Sequence, residues 1–158
     1  MYCKIYLFRH GKTYFNEAHC FTGWLDSKLT PQGIKEAKRI AQKLKGKRID
    51  VAYQTRLSRS KNTLKYVLKF HPECKKIITD DRMIERNYGD LDGTRHDKFI
   101  RKVGKKLYDL EVFGDVFENL DRERRKKIEI FFGEQEYNLI LRGFDVPPPN
   151  GESFADVE

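Results

Sequence analysis

No run in the chain approaches the 18 consecutive apolar residues that a membrane-spanning helix needs. The opening Met1-Tyr2-Cys3-Lys4-Ile5 lacks the basic region and apolar stretch of a signal peptide. Membrane insertion and export are therefore not expected, and a cytoplasmic location is. Cysteine is scarce: Cys3, Cys20 and Cys74 are odd in number, widely spaced and without a Cys-x-x-Cys pair. That pattern excludes a disulfide framework and gives no zinc-ligand spacing, so three free thiols in a reducing compartment are expected. The sequence has no His-Glu-x-x-His, no acidic calcium loop, no Walker phosphate loop and no dinucleotide glycine fingerprint. Neither a metal nor a nucleotide cofactor is expected. Internal repeats and low-complexity segments are also missing.

What is present suits one compact domain. The 158 residues are 39% apolar and 35% charged. Lysine and arginine number 32 against 24 acidic residues, a net charge of +8. Such a balance attracts small anions, and nucleic acid non-specifically. The basic residues are scattered, with short clusters at Lys43 to Arg48 and Arg122 to Lys127 that read as solvated surface. A specific nucleic-acid partner is not expected.

Ile5-Tyr6-Leu7-Phe8 is a short apolar run that predicts a buried strand ending at Arg9-His10-Gly11. Ligands bind beyond the carboxyl ends of strands in α/β sheets, so this is a natural place for a site. Thr30-Pro31 reads as an N-cap and first helical residue. Ile34, Ala37, Ile40, Ala41 and Leu44 then recur at helical spacing, and Gly46 supplies a stop. Ile49 to Tyr53 predicts a second strand. Thr55-Arg56-Leu57-Ser58-Arg59 opens a second helix with Leu57, Leu64, Val67 and Leu68 on its apolar face and Pro72 beyond its end. Lys76 to Thr79 predicts a third short strand. Strand-then-helix units of this kind predict a mostly parallel sheet covered by helices. Residues 80 to 95 are turn-rich, Phe99 to Leu110 reads as a helix, and 111 to 142 read as helical in parts. Pro147-Pro148-Pro149 cannot continue a helix, and the residues from Gly151 look like the opening of another, capped by Ser153.

His10 is the central chemical candidate. An unprotonated imidazole nitrogen can attack phosphorus and hold the phosphoryl group. The transferring group needs cationic donors, which Arg9 and Arg59 offer in planar pairs, and Gly11 lets the backbone approach an anion. Arg-His-Gly alone also fits an ordinary surface histidine. Its place after an apolar strand, together with a second arginine-bearing loop, favours the site. Asn16, Thr22 and Gly23 can donate to a bound acid or phosphate, and equally suit turn chemistry. Glu85 is the candidate proton carrier, with Arg86 and Tyr88 beside it as substrate contacts; a surface Glu-Arg turn is the plainer reading. His19, His71 and His96 have plain readings as loop or helix-end residues.

Several segments together resemble the cofactor-dependent phosphoglycerate mutases of the histidine phosphatase superfamily. They are Leu7 to Thr13 with Asn16, Phe21-Thr22-Gly23-Trp24-Leu25-Asp26, Leu29 to Gly33, Thr55 to Arg59, Glu85-Arg86-Asn87-Tyr88-Gly89 and Arg142 to Pro149. Arg-His-Gly marks only the superfamily; the Phe-Thr-Gly-Trp, Glu-Arg-Asn-Tyr-Gly and triple-proline segments resemble the mutase branch. The resemblance implies a three-layer α/β sandwich with a mostly parallel central sheet flanked by helices. It implies His10 as the phosphorylated residue, Arg9 and Arg59 as holders of the transferring group, and Glu85 as general acid and base. It implies Asn16, Thr22, Gly23, Arg86, Tyr88 and Arg142 as contacts to phosphate or carboxylate. The implied reaction interconverts 3-phosphoglycerate and 2-phosphoglycerate in glycolysis and gluconeogenesis, primed by 2,3-bisphosphoglycerate. The implied partners are a small anionic phosphorylated substrate and further copies of the chain, as a homodimer or homotetramer.

Two departures stand out. Many members pair two arginines where this chain has Leu141-Arg142. The resemblance also implies a later strand and helices, carrying a second catalytic histidine, that have no counterpart before Glu158. Residues 1–158 are therefore expected to be a single mutase-like domain, incomplete at its C-terminus, that folds poorly or is inactive. A histidine-type phosphomonoester phosphatase and an inactive truncated remnant that only binds ligands are the alternative readings.

Overall fold

The computed structural model describes residues 3–110 and 120–157. In chain order it contains α1 (Tyr14–Glu17), α2 (Pro31–Leu44), β1 (Val51–Gln54), α3 (Ser58–Leu68), β2 (Lys76–Thr79), α4 (His96–Asp109) and α5 (Arg122–Arg142). Short 3₁₀ turns lie at Asp81–Met83, Gly89–Leu91 and Ala155–Val157. The part of the helical expectation that falls on 111–119 lies outside the described residues. Two compact units result: Met1–Glu17 with Trp24–Glu85, and Ala18–Gly23 with Arg86–Glu158.

The first unit is α/β. Thr30 caps α2 as its sequence predicts: the hydroxyl accepts from the Gly33 amide at 3.0 Å, and Pro31 occupies the first turn. Ala37 and Ala41 are fully buried, so α2 turns its small residues toward α3. α3 contributes Leu64 and Val67 to the same core. β1 and β2 pair in parallel, from Val51 with Lys76 to Gln54 with Thr79. Ala52 is buried on one face of the sheet while Val51 and Tyr53 project from the other.

The expected first strand does not form. Ile5 and Leu7 are 85% and 81% exposed, and residues 5–8 join no ladder. A strand is stabilised by hydrogen bonds to a neighbour and by burial of a face, and neither reaches this run. Among the described residues the sheet has two strands, β1 and β2. The expected strand at Ile49 to Tyr53 begins two residues later, at Val51, and extends to Gln54.

The second unit is built on the pair α4 and α5. Phe21, Leu91, Phe99 and Ile140 form its buried core, with Tyr88, Ile100, Val103, Tyr137 and Leu141 packed around them. Gly104 and Gly133 allow the helix backbones to meet, since a Cβ at either would strike the opposite helix's carbonyls. Asp121 caps α5 by accepting from the Glu123 and Arg124 amides at 2.9 Å each. The expected helical opening after Gly151 is one 3₁₀ turn. Ser153 and Asp156 cap it reciprocally: the Ser153 amide donates to the carboxylate at 2.7 Å, and the Asp156 amide to the hydroxyl at 3.2 Å.

The His10 loop lies close against the first turn of α2. Gly11 and Gly33 are both buried, and a Cβ on Gly33 would collide with the Lys12 carbonyl. The obstruction is backbone, so it cannot swing aside. Gly33→Ala is expected to destabilise the protein by about 1–3 kcal/mol. A urea midpoint unchanged from wild type would show that α2 and the loop do not meet this closely.

Candidate active site

The loop after Phe8 is held by bonds that converge from two helices. The Gly11 amide donates to the Thr63 hydroxyl at 3.1 Å, and that hydroxyl donates to the Arg59 carbonyl at 2.8 Å. The Lys12 amide donates to Glu36 at 2.9 Å, and the Lys12 carbonyl accepts from the Thr30 amide at 2.9 Å. Thr63 and Glu36 were not singled out from sequence. Thr63 reads as one more polar residue in a helix, and only its spacing of four from Arg59 hints at a shared face.

His10 is half-buried. Its Nδ1 lies 2.8 Å from the Gly11 carbonyl. A carbonyl only accepts, so Nδ1 carries the proton and Nε2 keeps its lone pair. Burial lowers the imidazole pKa below its ordinary 6.5, the bond to Gly11 opposes this, and the fields of Arg59 and Arg9 lower it further.

Arg59 is only 2% exposed, and its Nη1 donates to the Leu25 carbonyl at 2.8 Å. It sits in the first turn of α3, where Asp26 accepts from the Ser58 amide and hydroxyl at 2.9 Å each. Arg9 is exposed. The Asn16 amide oxygen accepts from the Thr13 amide at 3.0 Å and its hydroxyl at 2.9 Å, which turns Nδ2 into the donor end of the side chain. Glu85 is half-buried in this same unit, and its carbonyl accepts from the Trp24 indole at 2.9 Å.

The remaining candidates belong to the second unit. Thr22 is half-buried and donates to the Cys20 carbonyl at 3.5 Å; Gly23, with φ of 45°, lies against Asp92. Arg86 is buried and committed: its guanidinium donates to the Glu152 carbonyl at 3.2 Å and to the Ile140 carbonyl. The group is also held between the rings of Tyr88 and Phe154, at 4.7 and 4.2 Å. Tyr88 packs on Phe21, and Arg142 is exposed at the last residue of α5. Among the described residues no three His, Cys, Asp or Glu side chains converge as a metal site. No helix among them is long and apolar enough to cross a membrane.

The His10 titration makes a pH prediction. Its folded pKa is lowered, so the unfolded chain takes up this proton first as pH falls. The associated stability is fully present above pH 6.5 and is lost as pH drops through the lowered folded value. The same shift keeps the ring neutral, and able to accept a phosphoryl group, somewhat below pH 6.5. An NMR titration placing His10 above that value would contradict both statements.

Residues 5–115 match the histidine phosphatase superfamily (branch 1). The 2,3-bisphosphoglycerate-dependent phosphoglycerate mutase of Brucella anthropi is 36% identical over 154 residues, 96% of this chain and 61% of that protein. The same enzyme of Mesorhizobium japonicum is 35% identical with the same coverage. The chain thus spans about three fifths of the length of these curated relatives. The phosphoglycerate mutase of Bacillus anthracis superposes with a TM-score of 0.55 at 26% identity, covering 76% of this chain and 52% of that one. A mycobacterial glucosyl-3-phosphoglycerate phosphatase superposes with a TM-score of 0.64 over 94% of this chain and 56% of its own, a likeness of fold at 20% identity. With its Arg-His-Gly loop, the buried arginine behind it and a family match across most of its length, the chain belongs to the histidine phosphatase superfamily and is homologous to the phosphoglycerate mutases.

Proposed function

We propose that the chain performs phosphoryl transfer through a phosphohistidine at His10, with hydrolysis of small phosphomonoesters as the reaction. The observation that carries this reading is the Nδ1 bond to the Gly11 carbonyl, which leaves Nε2 free to act as the nucleophile. Nε2 attacks phosphorus, the bond to the ester oxygen breaks, and Glu85 supplies the proton that the departing alkoxide needs. Arg9 and Arg59 neutralise charge on the equatorial oxygens. Asn16, Thr22, Gly23, Arg86, Tyr88 and Arg142 are the proposed substrate contacts. For Arg86 that role requires the guanidinium to leave the Ile140 and Glu152 carbonyls.

A second reading is supported by the identity to mutases and by the Phe21 to Asp26 and Glu85 to Gly89 segments. A phosphoglycerate then replaces water as acceptor, the enzyme is primed by 2,3-bisphosphoglycerate, and the setting is cytoplasmic glycolysis and gluconeogenesis. This reading includes the three-layer sandwich as one domain and self-association as a homodimer or homotetramer. Further strands and flanking helices of that sandwich would cover the apolar side chains of Ile5, Leu7, Val51 and Tyr53.

Incubation with 2,3-bisphosphoglycerate followed by peptide mapping tests the common step. Acid-labile phosphate on His10 is the expected result, and its absence ends both readings. Turnover assays with and without that primer separate them, because a hydrolase needs no priming.

A further inference from the structure

Trp24 lies in a segment that marks the family resemblance, yet it has no part in the chemistry described so far. Its position is defined on both sides. The indole N–H donates to the Glu85 carbonyl at 2.9 Å, and the Arg56 guanidinium stacks over the ring at 5.1 Å. Arg56 is itself fixed. Its Nη1 pairs with Asp81 at 2.7 Å, and its backbone amide donates to the other oxygen of the same carboxylate at 2.8 Å. The Asp80 amide donates to the Gln54 carbonyl at 2.8 Å, extending the β2 end of this clamp. Trp24, Arg56 and Asp81 thus pin the chain on both sides of the short run from Asp81 to Glu85. All of these residues belong to the unit that contains His10 and Arg59.

We infer that Trp24 is a positioning residue for Glu85, holding its backbone so that the carboxyl group delivers a proton to the leaving oxygen, with Arg56 and Asp81 bracing the indole. The inference rests on the reading of Glu85 as proton carrier. When an alkyl phosphate donates to His10, the P–O bond breaks and a P–N bond forms. The oxygen departs with the bonding pair and takes the carboxyl proton, leaving Glu85 as carboxylate. A displaced carboxyl slows that step, and misplacement of a reacting group by about 1 Å is enough to cost up to about a hundredfold. A leaving group that is already a stable anion requires no proton, so its transfer is insensitive to where Glu85 lies.

The test compares phosphorylation of His10 by two donors, 2,3-bisphosphoglycerate and 2,4-dinitrophenyl phosphate, in wild type, Trp24→Phe and Glu85→Gln. Trp24→Phe keeps an aromatic ring for Arg56 and removes the N–H together with the five-membered ring that carries it. It is expected to slow transfer from the bisphosphate by about tenfold, and from the dinitrophenyl ester by less than about twofold. Glu85→Gln is expected to show the same contrast more strongly. If Glu85→Gln shows the contrast and Trp24→Phe does not, the positioning role is overturned and the proton-carrier reading stands. If Glu85→Gln slows both donors equally or neither, that reading fails and the inference fails with it. Failure of wild type to form phosphohistidine from either donor overturns both. An equal loss with both donors in Trp24→Phe marks a merely structural role and also overturns the proposal.

Discussion

His10→Asn is expected to abolish incorporation of phosphate from 2,3-bisphosphoglycerate, a loss of at least about a thousandfold, because the covalent route disappears with its nucleophile. Asparagine keeps polarity and an N–H donor, but it offers no basic nitrogen to attack phosphorus. The fold has little stake in the imidazole. Its one hydrogen bond among those described is to the neighbouring Gly11 carbonyl, while the loop itself is anchored through the Gly11 amide and the Lys12 backbone. Unfolding free energy is therefore expected to stay within about 1 kcal/mol of wild type. Chemical denaturation checks the fold, and intact-protein mass after exposure to the donor checks the chemistry. Retained phosphate in a folded His10→Asn protein would move the acceptor to another residue and dismantle the proposed mechanism.

The loop that carries this histidine shows which parts of the molecule were legible in advance. α2 was readable residue by residue, because capping by Thr30, proline at the first turn and an apolar stripe are local signals. β2 and α3 were readable for similar reasons. The run Ile5 to Phe8 was not, although it is the most apolar stretch near the site. An apolar run specifies a tendency to be buried, whereas a strand also needs a partner, and partners are not local. Arg86 is the same lesson in a side chain. Its neighbours in sequence suggest a ligand contact, but the carbonyls that hold it come from residues 54 and 66 positions away. Thr63 gives no local signal, because its importance lies in the Gly11 amide that it receives, a partner 52 residues distant.

Arg59→Met is expected to separate chemistry from stability. Methionine retains most of the apolar stem and removes the charge and its donors. Transfer to His10 should slow by about 10²- to 10³-fold, the usual cost of losing a preorganised cation opposite developing oxyanion charge. Stability is decided by two opposing effects. The bond from a charged Nη1 to the Leu25 carbonyl contributes about 1.5–3 kcal/mol, whereas keeping a cation out of water costs several kcal/mol. With Arg59 only 2% exposed, these effects largely offset, and the melting temperature of the variant should stay within a few degrees of that of wild type. Inorganic phosphate should then raise the melting temperature of wild type more than that of Arg59→Met, since only the former gains a desolvated ion pair on binding. The His10 pKa should rise in the variant as the Arg59 field disappears. It should remain below its ordinary value, because burial is the larger cause of the shift. Arg59→Lys restores a charge without the planar fork, so its rate should lie between the two. A folded Arg59→Met protein that forms phosphohistidine at the wild-type rate would show that the buried guanidinium has a structural role and that the phosphoryl group is held elsewhere.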